Sequence, residues 1–410
     1  MYITEKRLIK WALMCNVIYV MLFFLVRPKG ISIIKVSITL FLLLSVFMLL
    51  TLIFKNRSKI NQISKPLRGL FSVLVFWGII TMLRGISFSL QDLVTNFGNV
   101  YMAWAWALPL TLILGLKIEN WTIVLNVIRL MFSLMIIAFL ISLAFDNSYL
   151  QWAWLLRPVN MLLLLGLYRF SLISKLQVCL ILAVLIIVAL QVKQRMDLLY
   201  LSITFSFLML NKLASAHIKR VFIKYIIFGF VLVVTLIFTV GYELVSNFIA
   251  SLIDFQDSRT FLFNELMAEL SSFEKIVGRG SLGTYFSQFM EHTKWYTVEI
   301  LKQPWWGDAS TRITIEVGYL QMILKGGVTL MTLNFIFFMT ASYTAIFKSN
   351  NRFIKGLGYY ILIISILSIV SMRPAFTPTF ILFWMATGTV LSKKYREMND
   401  EEINVLIKFK

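Results

Sequence analysis

Apolar runs of about 18 residues or more, separated by short polar stretches, recur along nearly the whole chain, and runs of that length match the thickness of a bilayer. About twelve such spans are predicted, near residues 11–26, 33–54, 70–84, 93–116, 122–144, 151–168, 176–192, 197–211, 225–242, 314–347, 356–372 and 376–391. The pattern predicts an all-α, polytopic integral membrane protein, with residues 1–410 forming one membrane domain. One interval breaks the rhythm. From about 244 to 313 the chain is polar and aromatic. Within it, Asp257-Ser258 reads as a helix start, and Leu262, Leu266, Leu270 and Phe273 recur at helical spacing over Arg259–Lys275. Glu265, Glu269 and Ser272 share the neighbouring polar stripe, so this helix is expected to lie on the membrane surface. Gly278–Gly283 ends it, and a second, aromatic-rich helix is predicted over about Thr284–Lys302. The tenth span would be roughly 50 Å long as a helix, more than the ~30 Å hydrocarbon core requires. Gly326-Gly327 is therefore expected to kink it near the outer edge, leaving Glu316 above the membrane or in an outward cavity.

Composition agrees with this reading: 59% of residues are hydrophobic and the mean hydropathy is +0.83. The net charge of +20 changes the picture only through its placement. Lys/Arg clusters fall in Lys55–Arg68, in Lys212–Lys224 and in the tail from Lys393. Such clusters mark cytoplasmic loops, so both termini are expected inside and the long loop outside. Summed by side, the basic excess lies on the cytoplasmic segments and the outer segments balance to neutrality. That points to topology and lipid headgroups rather than to nucleic acid. Cys15 and Cys179 each fall inside a span and read as core thiols, with no disulfide framework. The first span reads as uncleaved, because Arg27-Pro28-Lys29-Gly30 follows it where a small-residue cleavage site would be needed.

Candidate chemistry concentrates on the outward side. Arg195, Arg259, Arg279, Arg312 and Arg373 stand near predicted helix ends. Each could anchor a helix at the headgroups, or several could converge on phosphate oxygens, which the planar guanidinium fork suits. Gly278-Arg279-Gly280-Ser281-Leu282-Gly283 matches GxGxxG, but no preceding strand or βαβ unit supports a dinucleotide site. The turn is either a plain helix break or a loop whose N–H groups approach a phosphate. Glu316 reads either as the i, i+4 partner of Arg312 on a helix or as a general base. His292 is a second candidate base, or a surface histidine without a role. Trp295, Tyr296, Trp305 and Trp306 would stack on sugars or form an interfacial belt. No His/Asp/Glu metal cluster, Ser-His-Asp pattern or Walker loop is visible, so no metal or cofactor is expected.

Taken together, the spans, the large outward loop before the last three of them, and an arginine at the head of the eighth resemble the bacterial O-antigen polymerase and O-antigen ligase superfamily. Ser258-Arg259, the Gly-Arg-Gly-Ser-Leu-Gly turn and Glu316-x-x-Tyr319-Leu320-Gln321 before Gly326-Gly327 carry that resemblance. Arg157-Pro158-Val159-Asn160 is a weaker echo. The resemblance implies a metal-independent glycosyltransferase of the cytoplasmic (inner) membrane whose site faces outward. Its substrates would be undecaprenyl-pyrophosphate-linked oligosaccharides, and a chain-length regulator is an implied partner. Ligases of the family usually carry His-Asn where this chain has Glu316-Val317, which favours a polymerase. On this reading Arg195, Arg259, Arg279 and, as a weaker candidate, Arg373 hold pyrophosphate, and Glu316 is the base or orients the acceptor. Arg279 also aids catalysis, and His292, Trp305, Trp306 and Tyr319 contact acceptor or sugar. The alternatives are an O-antigen ligase and, from another class, a flippase or transporter of lipid-linked glycans.

Overall fold

Helices α1 (Glu5–Val26) and α2 (Ile33–Lys55) pack along each other as a hairpin. A 3-10 turn, Arg57–Gln62, leads into α3 (Lys65–Leu83), where Pro66 occupies the first turn and its missing N–H leaves no bond unmade. The structure is a computed structural model that describes residues 4–26, 33–86, 89–144, 158–165, 183, 200–207, 258–300 and 311–407. The predicted ninth span, all but residue 183 of the seventh, and parts of the sixth and eighth lie outside these residues.

The expected fourth span is not one rod. It comprises α4 (Leu90–Gly98), α5 (Ala103–Ala107), a 3-10 turn at Leu108–Thr111 and α6 (Leu112–Gly115), bent by 45° between α4 and the rest. Side chains take up carbonyls that the break frees. The Tyr19 hydroxyl donates to Gly98 O (2.8 Å) and the Trp104 indole to Phe97 O (2.8 Å). Then come α7 (Asn120–Ala144), α8 (Val159–Leu164) and a helical stretch at 200–207.

The described part of the polar loop is built from α9 (Ser258–Glu269), α10 (Ser272–Val277), β1 (Tyr285–Phe286), α11 (Gln288–Trp295) with a π turn at Tyr296–Ile300, and β2 (Thr311–Arg312). The single helix expected over Arg259–Lys275 is thus two. A capping box divides them: Ser271 Oγ accepts from the Glu274 N–H while the Glu274 carboxylate accepts from the Ser271 N–H. The helix expected from Thr284 begins only at Gln288, because Tyr285 and Phe286 pair antiparallel with Arg312 and Thr311. Two carboxylates of α9 fix that change. Glu269 accepts from the Phe286 N–H (2.6 Å), and Glu265 from the Phe289 N–H (2.7 Å) and Ser287 Oγ (2.6 Å).

The chain closes with α12 (Gly318–Phe347), α13 (Arg352–Val370), α14 (Pro378–Leu391), α15 (Lys393–Glu397) and α16 (Asp400–Ile407). The buried core runs through α12, α13 and α14, where Phe338 meets Phe383 edge-on at 4.5 Å. Among the described residues, four helices are long and apolar enough to cross a membrane, or five if the bent α4–α6 segment is one span.

The expected kink in α12 is present. Gly327 leaves the helical region at φ 73°, ψ −179°. The break frees the carbonyls of Leu324, Lys325 and Gly326, and these accept from Arg279 N (2.8 Å), Gly280 N (2.9 Å) and the Trp77 indole (2.7 Å). The end of α3 joins the same junction: Ser281 N donates to Thr81 O and Ser281 Oγ to Met82 O. Three helix C-termini, those of α3, α10 and the N-terminal segment of α12, therefore meet around Gly278–Gly283. Their free carbonyls meet side-chain donors. Arg84 donates to Val277 O (2.6 Å) and Gly278 O (2.7 Å), and the fully buried Lys325 donates to Gly283 O (2.8 Å).

Candidate active site

A second meeting point lies where the chain enters α12. β2 carries Arg312, the following residues carry Thr314 and Glu316, and the loop between α13 and α14 carries Arg373. Three features of the sequence bring these strands of chain together. Gly318 N donates to Ser371 O (3.0 Å), and Val317 bridges to Met372. Gly318 also has no room for a side chain, since a Cβ there would lie 2.7 Å from Met372 O. Met372 has φ 57°, a left-handed conformation uncommon for a side-chain-bearing residue. Gln321, fully buried in the first turn of α12, accepts from the Ile315 N–H at 2.8 Å and so holds the segment next to Glu316.

The geometry places one carboxylate in the grip of one arginine, with a second arginine close enough to act on its charge. Arg312 grips Glu316 through both terminal nitrogens, at 3.1 and 2.5 Å. The Arg312 side chain is 6% exposed and that of Glu316 is 53% exposed, so the carboxylate covers a buried cation from the solvent side. The pair forms as the i, i+4 spacing suggests, but not on a helix: Arg312 is in β2 and Glu316 precedes α12. Arg373 stacks its guanidinium on Tyr101, 3.8 Å from the ring centre, and donates to Thr314 Oγ1 at 2.9 Å. Its Nε is buried without a hydrogen-bond partner among the described residues. Burial alone would raise the Glu316 carboxyl above its usual value. The Arg312 hydrogen bonds and charge, with the charge of Arg373, outweigh burial and hold it below. Tyr285, across the strand pair from Arg312, is fully buried, and burial pushes its phenol well up.

The other predicted residues are distributed differently. Arg279 makes five hydrogen bonds to protein. Nε and Nη2 reach the Glu274 carboxylate (3.0 and 3.4 Å), Nη1 reaches Glu269 (2.5 Å) and Thr284 O (2.7 Å), and Nη2 reaches Glu269 O (3.2 Å). A guanidinium has five N–H donors, so Arg279 has none left for a phosphate. Nor does its turn cradle an anion through the backbone. The N–H groups of Gly278, Arg279, Gly280, Ser281 and Gly283 all point to carbonyls. His292 is exposed on α11, and Tyr319 is half-buried with its ring beside Phe263. Trp295 and Tyr296 are exposed. Arg259 lies in the first turn of α9. Arg195, Trp305 and Trp306 lie outside the described residues.

Sequence reasoning passed over Arg84 and Lys325 as caps, and Tyr101 as the platform under Arg373. No local signal marks them, because their partners are far away along the chain. Among the described residues, no group of three or more His, Cys, Asp or Glu is placed to hold a metal ion. Compared with protein-family models, with curated proteins and with solved structures, the chain has no match.

Proposed function

We propose that this chain is a membrane glycosyltransferase that polymerises lipid-linked glycan repeats, as the O-antigen polymerases do, on the outer face of the cytoplasmic membrane. The observation that carries the reading is Glu316 held in the fork of Arg312, near enough to Arg373 to feel its charge, where the polar loop enters α12. A polyprenyl pyrophosphate leaving group gains negative charge as the bond to the anomeric carbon breaks, and two fixed guanidinium groups stabilise that charge. The attacking sugar hydroxyl gives its proton to a carboxylate, the role assigned to Glu316. The electron pair of the broken C–O bond departs with the pyrophosphate, so no external reactant is required. Arg195 and Arg259 are proposed as additional pyrophosphate contacts, and Arg279 as the brace of the outer loop. His292, Trp305 and Trp306 remain proposed sugar contacts. The bilayer and a chain-length regulator are proposed partners.

Purified protein in detergent, given undecaprenyl-pyrophosphate-linked repeats, is expected to produce a ladder of longer glycans. In cells, loss of the chain is expected to leave single repeats on the acceptor. Loss of all repeats would indicate a ligase instead. Failure of the purified protein to lengthen any lipid-linked glycan, while it moves such glycans across vesicle membranes, would replace the enzyme by a transporter.

A further inference from the structure

We infer that Glu316 occupies, in the resting protein, the place of a diphosphate, and that a diphosphate ligand displaces it from the Arg312 fork. The inference rests on the proposed function for the identity of the ligand, and on the site's own geometry for the displacement. The two-nitrogen grip of Arg312 on Glu316, at 3.1 and 2.5 Å, is the grip that a guanidinium makes on two phosphate oxygens. The carboxylate is on the outside of the pair and the cation on the inside, with side-chain exposures of 53% and 6%. When the carboxylate swings away, the fork opens on the side that Glu316 had covered. Arg373 supplies the second positive charge. Its ring stack on Tyr101 and its bond to Thr314 fix its orientation, and its Nε is buried with no hydrogen-bond partner among the described residues. Two arginines and one carboxylate leave the cluster with one excess positive charge, whereas a doubly negative group in place of the carboxylate would balance it.

Displacement also couples two events. While Arg312 holds it, Glu316 is a weak base, because the arginine stabilises its ionised form. Arrival of the diphosphate both fills the cation site and releases the carboxylate to accept a proton. The site would then remain idle until the donor is seated.

The test is binding of inorganic pyrophosphate, farnesyl diphosphate and orthophosphate to the full-length protein in detergent, measured by calorimetry. Removing a tethered competitor raises apparent affinity, so Glu316→Gln and Glu316→Ala should bind pyrophosphate and farnesyl diphosphate about tenfold more tightly than the unaltered chain. Adding Arg312→Gln to either should abolish the gain. Tighter binding of farnesyl diphosphate than of inorganic pyrophosphate identifies a lipid-linked ligand, and equal binding identifies free pyrophosphate; both support displacement. Orthophosphate gaining as much as pyrophosphate would overturn the diphosphate assignment. Unchanged or weaker pyrophosphate binding by both Glu316 variants would overturn the inference, even if the chain polymerises glycans. A gain in binding by a protein that never lengthens a glycan would keep the inference and remove the polymerase reading.

Discussion

Gly278 and Gly327 adopt the same backbone conformation, φ 71°, ψ −176° and φ 73°, ψ −179°, and each lies against the other's helix terminus. A Cβ on Gly278 would stand 2.4 Å from the carbonyl carbon of Lys325, and one on Gly327 would stand 2.0 Å from Ile276 O. Both positions therefore combine a left-handed φ with backbone contact. Gly278→Ala and Gly327→Ala are each expected to destabilise the protein by about 2–4 kcal/mol. Gly69→Ala, at a position with nothing within 4 Å, is the control and should be near neutral. Thermal unfolding in detergent measures the difference, and equal melting temperatures for the three variants would contradict the back-to-back packing.

Trp77 tests the capping of the α12 break separately from glycine geometry. Its indole is the donor to Gly326 O at 2.7 Å. Trp77→Phe keeps the ring and removes that donor, and should cost about 1–2 kcal/mol. Faster hydrogen exchange near Gly327 should accompany the loss, with the rest of α12 unchanged.

The brace around Arg279 responds to acid. The Arg279 hydrogen bond, followed by those from Ser271, depresses the Glu274 carboxyl from 4.5 to about 2. A depressed carboxyl contributes stability that is fully present above its unfolded value and is lost as pH falls through its folded value. The loop should therefore loosen progressively as pH drops from about 4.5 toward about 2. Glu274→Gln should remove this part of the acid sensitivity and lower stability at neutral pH. An unchanged acid-unfolding profile between those limits in the variant would count against the assignment.

Arg373 separates charge from shape. Arg373→Ala should reduce glycan elongation by about 10²–10³-fold, as loss of a transition-state charge partner does. Arg373→Lys should recover little, because an ammonium cannot reproduce the planar stack on Tyr101 together with the bond to Thr314. Arg279→Lys should differ in kind, lowering thermal stability more than turnover. Near-normal ladders from Arg373→Ala would detach Arg373 from the chemistry.

Much of the fold's outline was readable from hydropathy. The spans that became α2, α3, α12 and α13 are long, continuous and apolar, and that signal is strong. The kink at Gly326-Gly327 followed from helix length together with the glycine pair. The break between α9 and α10 was legible in Ser271-x-x-Glu274, but the run of leucines across it gave the stronger periodicity. The bend between α4 and α5 was not legible, because apolar residues continue through it and the groups that cap it come from α1 and from Trp104. At the site, sequence brought forward Glu316 with Arg312 as an i, i+4 pair and Arg373 as a separate residue. Their meeting depends on Gly318 pairing with Ser371, a tertiary contact without a local pattern. Arg279 was legible as an outward arginine but not as a saturated one, since its acceptors lie on two helices and a turn.

The pairing of Arg279 N with Leu324 O and of Gly280 N with Lys325 O pins together two points of the chain that enclose β1, α11, β2 and Glu316. Everything between the pins is a closed loop, and the entropy of closing such a loop grows only slowly with its length. Glu316 is spaced from the second pin along the first turns of α12, not from the first pin through the loop. Insertions or deletions between α11 and β2 would therefore change the reach of the loop without shifting Glu316 in depth. The position of Glu316 and the loop's length are set by different parts of the sequence, so each can vary while the other is held.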